Sequence, residues 1–308
     1  MPQKIVLIAD PGIDTSFAIA LALHDPEFEV VAIIATAGNI SAAQATRNVQ
    51  VLINQIDPPK WPRLGGALPV DYEIDGKELH GPEGLGGFVV PDISLHSPLP
   101  GDKLLNELVR EYPKELRILC MGPATILARA IERDPDLPNL IESIVLMGGT
   151  WLEPGNSTAA AEFHFACDPA AAKIVLHSGA TIQLLTLDIS RKLIFSPSDL
   201  LELPASRSGT CQFLRQIIPF GIRASSNLYG IEGFHLKDVL AIAALALPAC
   251  INWNGYFVDV ETRGELTRGA LVVDNRPNPA SAPNVLLGMD VDVVGVRDYI
   301  LRTLSTCS

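Results

Sequence analysis

Residues 4–23 read KIVLIADPGIDTSFAIALAL, an apolar run, an Asp-Pro-Gly turn and then a stretch rich in Ala and Leu. Lys4 to Ile8 is expected to form a buried strand, and Ser16 to Leu23 the helix that follows it. The pattern recurs along the chain. Glu29 to Thr36 reads as a second strand and Ser41 to Ile56 as a helix opened by a Ser cap. Arg117 to Met121, Ile141 to Met147 and Thr181 to Leu187 are further expected strands, with helices at Pro123 to Arg133 and Pro169 to Ser178 between them. Strands that are nearly continuous in hydrophobicity, separated by helices, specify a parallel sheet covered on both faces. The expected fold is therefore α/β, doubly wound, with a mostly parallel sheet and helices on both sides. No repeat, composition shift or Pro/Ser-rich linker divides the chain, so one domain over residues 1–308 is expected.

Composition narrows the function classes. The 308 residues are 48% hydrophobic and 19% charged, which suits a sizeable core and not a disordered chain. A formal net charge of −12, with no run of Lys and Arg, offers no footprint for a phosphate backbone, and nucleic acid is not expected as a partner. The longest apolar stretches, such as Asp238 to Cys250, are shorter than the roughly 20 residues of a spanning helix. No membrane association is expected, and the N-terminal run lacks a signal-peptide cleavage site, so a cytoplasmic location is. The five cysteines (120, 167, 211, 250 and 307) are widely spaced, and suggest neither a disulfide framework nor a CxxC metal site.

In open α/β sheets, ligands bind outside the carboxyl ends of the strands. Asp10 and Asp14 flank the turn after the first strand; together they could share a cation or activate water, although Asp14 could equally cap the helix. The segment from Met147 to His164 brings Asn156, Glu162 and His164 after another strand, a set suited to vicinal hydroxyls. Read singly, Asn156 suits an ordinary turn and Glu162 the start of a surface helix. Asp238 opens the apolar helix Val239 to Leu247, where capping would explain it. His80 lies in Leu-His-Gly-Pro-Glu-Gly-Leu-Gly-Gly, a loop read as too flexible for a core histidine and so available for ligand contact or proton transfer. The long segments Asp71 to Ser97 and Pro204 to Glu232, the second partly helical with a mobile stretch, are candidates to close over a site.

Taken in order, these pieces resemble the inosine-uridine nucleoside N-ribohydrolases from about Ile5 to Asp274. The family's opening motif, DxDPGxDD, reads Ile8-Ala9-Asp10-Pro11-Gly12-Ile13-Asp14-Thr15 here. Further matches are Ala37-Gly38-Asn39, Thr46-Arg47-Asn48, Leu79-His80-Gly81, Gly122-Pro123-Ala124-Thr125 and Met147-Gly148-Gly149. The most specific match runs from Pro154-Gly155-Asn156 through Ala161-Glu162-Phe163 to Asp168-Pro169 and Lys173. The resemblance implies hydrolysis of the bond between ribose and base at a calcium ion. Asp10 would bind the metal and activate water with Asn39 beside it, and Asp238 and the Met121 carbonyl would complete part of the metal shell. Asp14, Asn156 and Glu162 would hold ribose hydroxyls, and His80 would sit near the base. A small-molecule nucleoside is the implied partner, and a dimer or tetramer the implied assembly.

The departures bear on the same site. Ile8 and Thr15 replace the motif's first and last carboxylates, and Thr15 falls where the family has a calcium-chelating Asp. His164 stands where the family has a ribose-binding Asn, and Lys237 replaces the His of a His-Asp pair. His235 could then substitute as the acid for the leaving base. Calcium affinity follows ligand charge, so weak or lost calcium binding is expected. Three readings follow: an active hydrolase with altered metal affinity or specificity, a metal-independent relative in which Lys237 replaces the cation, and a non-catalytic protein that keeps the ribose pocket.

Overall fold

A computed structural model describes residues 2–90, 97–204 and 209–306. The strands in chain order are β1 (Gln3–Ala9), β2 (Phe28–Ala35), β3 (Arg63–Gly66), β4 (Leu99–Pro100), β5 (Leu116–Met121), β6 (Ser143–Met147), β7 (Ile182–Leu185), β8 (Ile194–Phe195), β9 (Phe234–His235), β10 (Ile251–Tyr256), β11 (Val258–Val260), β12 (Leu271–Val273) and β13 (Val285–Val291). Among the described residues nine of them form one sheet in the order β10-β13-β7-β6-β5-β1-β2-β3-β4. Every pairing in it is parallel except the edge pair β10–β13.

Alternation along β1 explains the two layers. Ile5, Leu7 and Ala9 point into one core with the helices Ile13–His24, Ala42–Ile56, Gly209–Tyr229, Val239–Ala246 and Val293–Ser305. Val6 and Ile8 point into the other, with Gly101–Glu111, Thr125–Arg133 and Pro169–Leu176. Both faces of a central strand are thus buried, which is why its sequence shows no polar alternation. Ile8 belongs to this packing and is fully buried. The doubly wound α/β expectation holds.

Several boundaries differ from expectation. The first helix begins at Ile13, not Ser16, because Pro11 and Gly12 end the strand at once and the chain turns straight into the helix. The run Thr181 to Leu187 divides into β7 and a short helix Leu187–Ser190. The Pro204–Glu232 segment is mostly one helix, Gly209–Tyr229, which tolerates Pro219 in its interior. Residues 91–96 and 205–208 of the two expected covering segments, and Cys307, lie outside the described residues. No helix among the described residues is long and apolar enough to cross a membrane.

Candidate active site

Asp10 is the first residue beyond β1, and its neighbours are set by register. Ala9 pairs with Ala35 of β2 and with Met121 of β5, so all three strands end level and their following loops converge. The Asp10 amide donates to the Met121 carbonyl at 3.3 Å. The Asn39 amide donates to both Asp10 carboxylate oxygens, at 2.9 and 2.8 Å, and Asn39 Nδ2 donates to the Asp10 carbonyl at 3.3 Å. Glycines make room for this. A Cβ on Gly38 would stand 2.2 Å from Asp10 Oδ2, and one on Gly122 would stand 2.7 Å from the Asp10 Cβ. Burial pushes the Asp10 carboxyl well above the ordinary carboxylate range; the Asn39 hydrogen bonds and Lys237 oppose the rise, and nearby Asp14 adds to it.

Asp14 is not a cap. Gly12 occupies the N-cap position of the helix Ile13–His24 and no side chain caps it. Asp14 is buried in the first turn, with its carboxylate 3.9 Å from His80 Nδ1. The reading of His80 as a flexible loop residue is corrected here. It ends a short helix, Lys77–His80, is 3% exposed, and lies edge-on to Phe234 with ring centroids 5.9 Å apart. Its Nδ1 accepts the Ile13 amide hydrogen at 3.1 Å, so His80 holds the 10–14 turn in place. A ring that accepts at Nδ1 must be neutral, and burial lowers its pKa to about 4.

That arrangement has a measurable consequence. Between pH 6.5 and about 4 the unfolded chain binds a proton at His80 that the folded chain refuses. The contribution is therefore fully present above pH 6.5 and is lost as the pH falls toward 4. His80→Gln keeps an acceptor for the Ile13 amide without the titration. Urea unfolding at pH 7 and pH 5 should show the wild type losing about 2 kcal/mol more than this variant over that interval. Parallel losses would remove His80 as the titrating group.

Thr15 and Asp238 meet across the same turn. Thr15 Oγ1 donates to Asp238 Oδ2 at 2.6 Å and to the Asp10 carbonyl at 2.8 Å. One hydroxyl proton cannot fully serve both acceptors unless Asp238 carries a proton of its own. Burial, followed by repulsion from Asp14, raises the Asp238 carboxyl well above its ordinary range, against the Thr15 hydrogen bond and Lys237. Capping does not explain Asp238 either: it precedes the helix Val239–Ala246 with helical backbone angles, and its side chain makes no cap. The groups expected to hold calcium, Asp10, Thr15, Met121 and Asp238, are thus linked to one another by hydrogen bonds. Among the described residues, however, no group of three or more His, Cys, Asp or Glu side chains is disposed to hold a metal ion.

On the other side of the site, Glu162 is 3% exposed, which overturns its reading as the start of a surface helix. It is the N-cap of the helix Phe163–Cys167, and its Oε2 accepts from the amides of Phe165 at 3.2 Å and Gly149 at 3.0 Å. Oε1 is left directed elsewhere, 3.7 Å from His164 Nδ1, which itself lies 3.2 Å from the Met147 carbonyl. Asn156 Oδ1 accepts from the Phe163 amide at 2.9 Å, so its Nδ2 remains a donor. Glu162, His164, Lys237 and Asp238 line one small pocket.

Beside it opens a cavity of about 300 Å³ walled by Leu79, Leu187, Tyr229 and Phe234, with Asn156, His235 and Lys237 at its polar side. His235 therefore does fold over the site. Burial and then Lys237 lower its pKa to about 4, and its Nδ1 has no hydrogen-bond partner among the described residues. It is a neutral hydrogen-bonding ring at pH 7, not a stored proton.

Sequence reading missed three supports. Asp188 accepts from the amides of Trp151, Leu152 and Glu153 at 2.9–3.2 Å, and so shapes the loop that carries Asn156. Arg191 binds the Pro154 and Gly155 carbonyls of that loop at 2.8 and 3.3 Å. Tyr229, at the end of a long helix, supplies an aromatic wall. None of the three sits in a motif; each is recruited by the fold.

Comparison with known proteins places the whole chain beside nucleoside hydrolases. The family model described as inosine-uridine preferring nucleoside hydrolase matches residues 5–298. Uridine nucleosidase 1 of Arabidopsis thaliana is 32% identical, over 98% of this chain and 93% of the relative. The pyrimidine-specific ribonucleoside hydrolase RihA of Salmonella gallinarum is 33% identical, over 99% of both chains. Among solved structures, the plant nucleoside hydrolase PpNRh1 superposes with a TM-score of 0.92 at 27% identity, covering 99% of both chains.

Proposed function

The chain belongs to the inosine-uridine preferring nucleoside hydrolase family, and from that premise we propose that it is an active N-ribohydrolase, converting a ribonucleoside and water to ribose and free base. The observation that carries the reading is the set of buried carboxylates Asp10, Asp14, Glu162 and Asp238, whose charges act on one another or on Lys237, a residue that also lines a cavity with apolar walls. Carboxylates packed around a ribosyl centre stabilise the positive charge that develops as the glycosidic bond breaks. Their mutual repulsion and burial hold Asp10 and Asp238 in a basic state that welcomes a proton or a cation.

In this reading Asp10 accepts the proton of the attacking water, and its raised pKa makes it a better base than an exposed Asp. Asn39 fixes the carboxylate plane through its amide. Asp14, the free oxygen of Glu162 and the Nδ2 of Asn156 bind ribose hydroxyls, with His164 beside Glu162. The base enters the aromatic cavity, where the unpartnered Nδ1 of His235 meets its edge. His80 acts from behind, through the 10–14 turn. Calcium is the cation that the resemblance implies, with Asp10, Asp238, Thr15 and the Met121 carbonyl as its candidate ligands.

The test is release of reducing sugar from uridine, cytidine, inosine and adenosine by the purified chain. Free base and ribose from at least one are expected. Binding of nucleoside without turnover would instead establish a non-catalytic ribose-binding protein. Base discrimination should follow the cavity wall. Tyr229→Ala is expected to alter the ratio of kcat/KM between purine and pyrimidine substrates by about fivefold, since one aromatic contact contributes on the order of 1 kcal/mol. Equal losses for all four substrates would take Tyr229 out of base recognition.

A further inference from the structure

Two departures from the family pattern act on one place. Thr15 stands where a metal-chelating carboxylate is expected, and Lys237 where a His is expected before Asp238. Thr15 spans the Asp10 carbonyl and Asp238 Oδ2 by direct hydrogen bonds, so two of the candidate ligand oxygens, those of Thr15 and Asp238, are engaged with each other. Both Asp10 oxygens also accept the single Asn39 amide hydrogen. Lys237 lines both the small pocket with Glu162, His164 and Asp238 and the larger cavity with Asn156. No carboxylate among the described residues lies within 4.0 Å of its amine, so the ammonium is not consumed by an ion pair.

Both changes move the charge of the site in the same direction. Replacing a carboxylate by Thr removes one negative charge, and Lys237 sets an amine next to Asp238. Calcium also needs six to eight oxygen ligands, and here its approach is opposed by an ammonium beside the two remaining acidic candidates.

We propose that Lys237 and Thr15 jointly replace the divalent cation: the Lys237 ammonium faces the ribose hydroxyls, Thr15 ties Asp10 to Asp238, and the chain works without calcium. The reaction assigned to Lys237 rests on the hydrolase reading, whereas the ion-binding claim does not. Calorimetric titration of calcium chloride into the unmodified chain should give no saturable heat up to about 10 mM, beyond the weakest ordinary calcium sites. Ribose release should persist within twofold in excess chelator. Lys237→Met should lower kcat by at least about 10²-fold with unchanged circular dichroism. Thr15→Asp with Lys237→His should create calcium binding with a Kd of about 10⁻⁶–10⁻³ M. Stoichiometric calcium binding by the unmodified chain, activity lost to chelator and restored by calcium, unchanged kcat in Lys237→Met, or a folded double variant blind to calcium would each overturn the proposal. If the unmodified chain hydrolyses no nucleoside, the functional reading fails, and the two titrations still decide the ion question.

Discussion

Asp10→Asn is expected to lower nucleoside turnover by at least about 10²- to 10⁴-fold, the range associated with loss of a general base. Asn is nearly isosteric, and its side-chain oxygen can still accept the Asn39 amide hydrogen. What it cannot do is take a proton from water. The fold should not suffer. Because burial penalises the charged form of Asp10, a neutral amide removes an unfavourable term, and the variant should melt no lower than the wild type. Initial rates of ribose release and the melting temperature, measured on the same preparation, separate chemistry from folding. A variant that turns over at the wild-type rate would exclude Asp10 as the base.

Gly38→Ala should be nearly as damaging, with every functional group retained. The added methyl would stand 2.2 Å from Asp10 Oδ2, 2.8 Å from its Cγ and 3.0 Å from the Pro123 ring, so the carboxylate or the loop must move. Displacement of a reacting group by about 1 Å typically costs on the order of 10²-fold in rate, and overpacking about 1–3 kcal/mol in stability. Gly179→Ala is the control: Gly179 has φ of 82° but nothing within 4 Å of a Cβ, so it should cost stability alone. Equal turnover in both variants would show that the fit of Gly38 against Asp10 is unimportant.

Much of the layout was legible because it follows from local chemistry. A strand buried on both faces must be apolar throughout, so β1, β2 and β5 declare themselves, and the Asp-Pro-Gly turn marks where β1 stops. Individual roles were less legible. Asp14, Glu162 and Asp238 each sit where a carboxylate ordinarily caps a helix or meets solvent, and a local reading assigns them that role. Only their burial, to 3% exposure in each case, shows that none of them meets solvent. His80 misled in the opposite sense, since the glycines around it suggest mobility, whereas they let the chain bend so that the ring can reach the Ile13 amide.

The sequence by itself determined the α/β class, the succession of strands and helices along the chain and which residues follow each strand, because hydrophobic period and turn chemistry are written residue by residue. Tertiary structure alone decided which oxygens remain free, that Thr15 joins residues 10 and 238, and that Asp188 and Arg191 brace the Asn156 loop. These depend on pairs up to 223 positions apart. Their distances and burial arise only when separate strand ends are brought level, and it is that burial, more than residue type, that sets the charge each group carries.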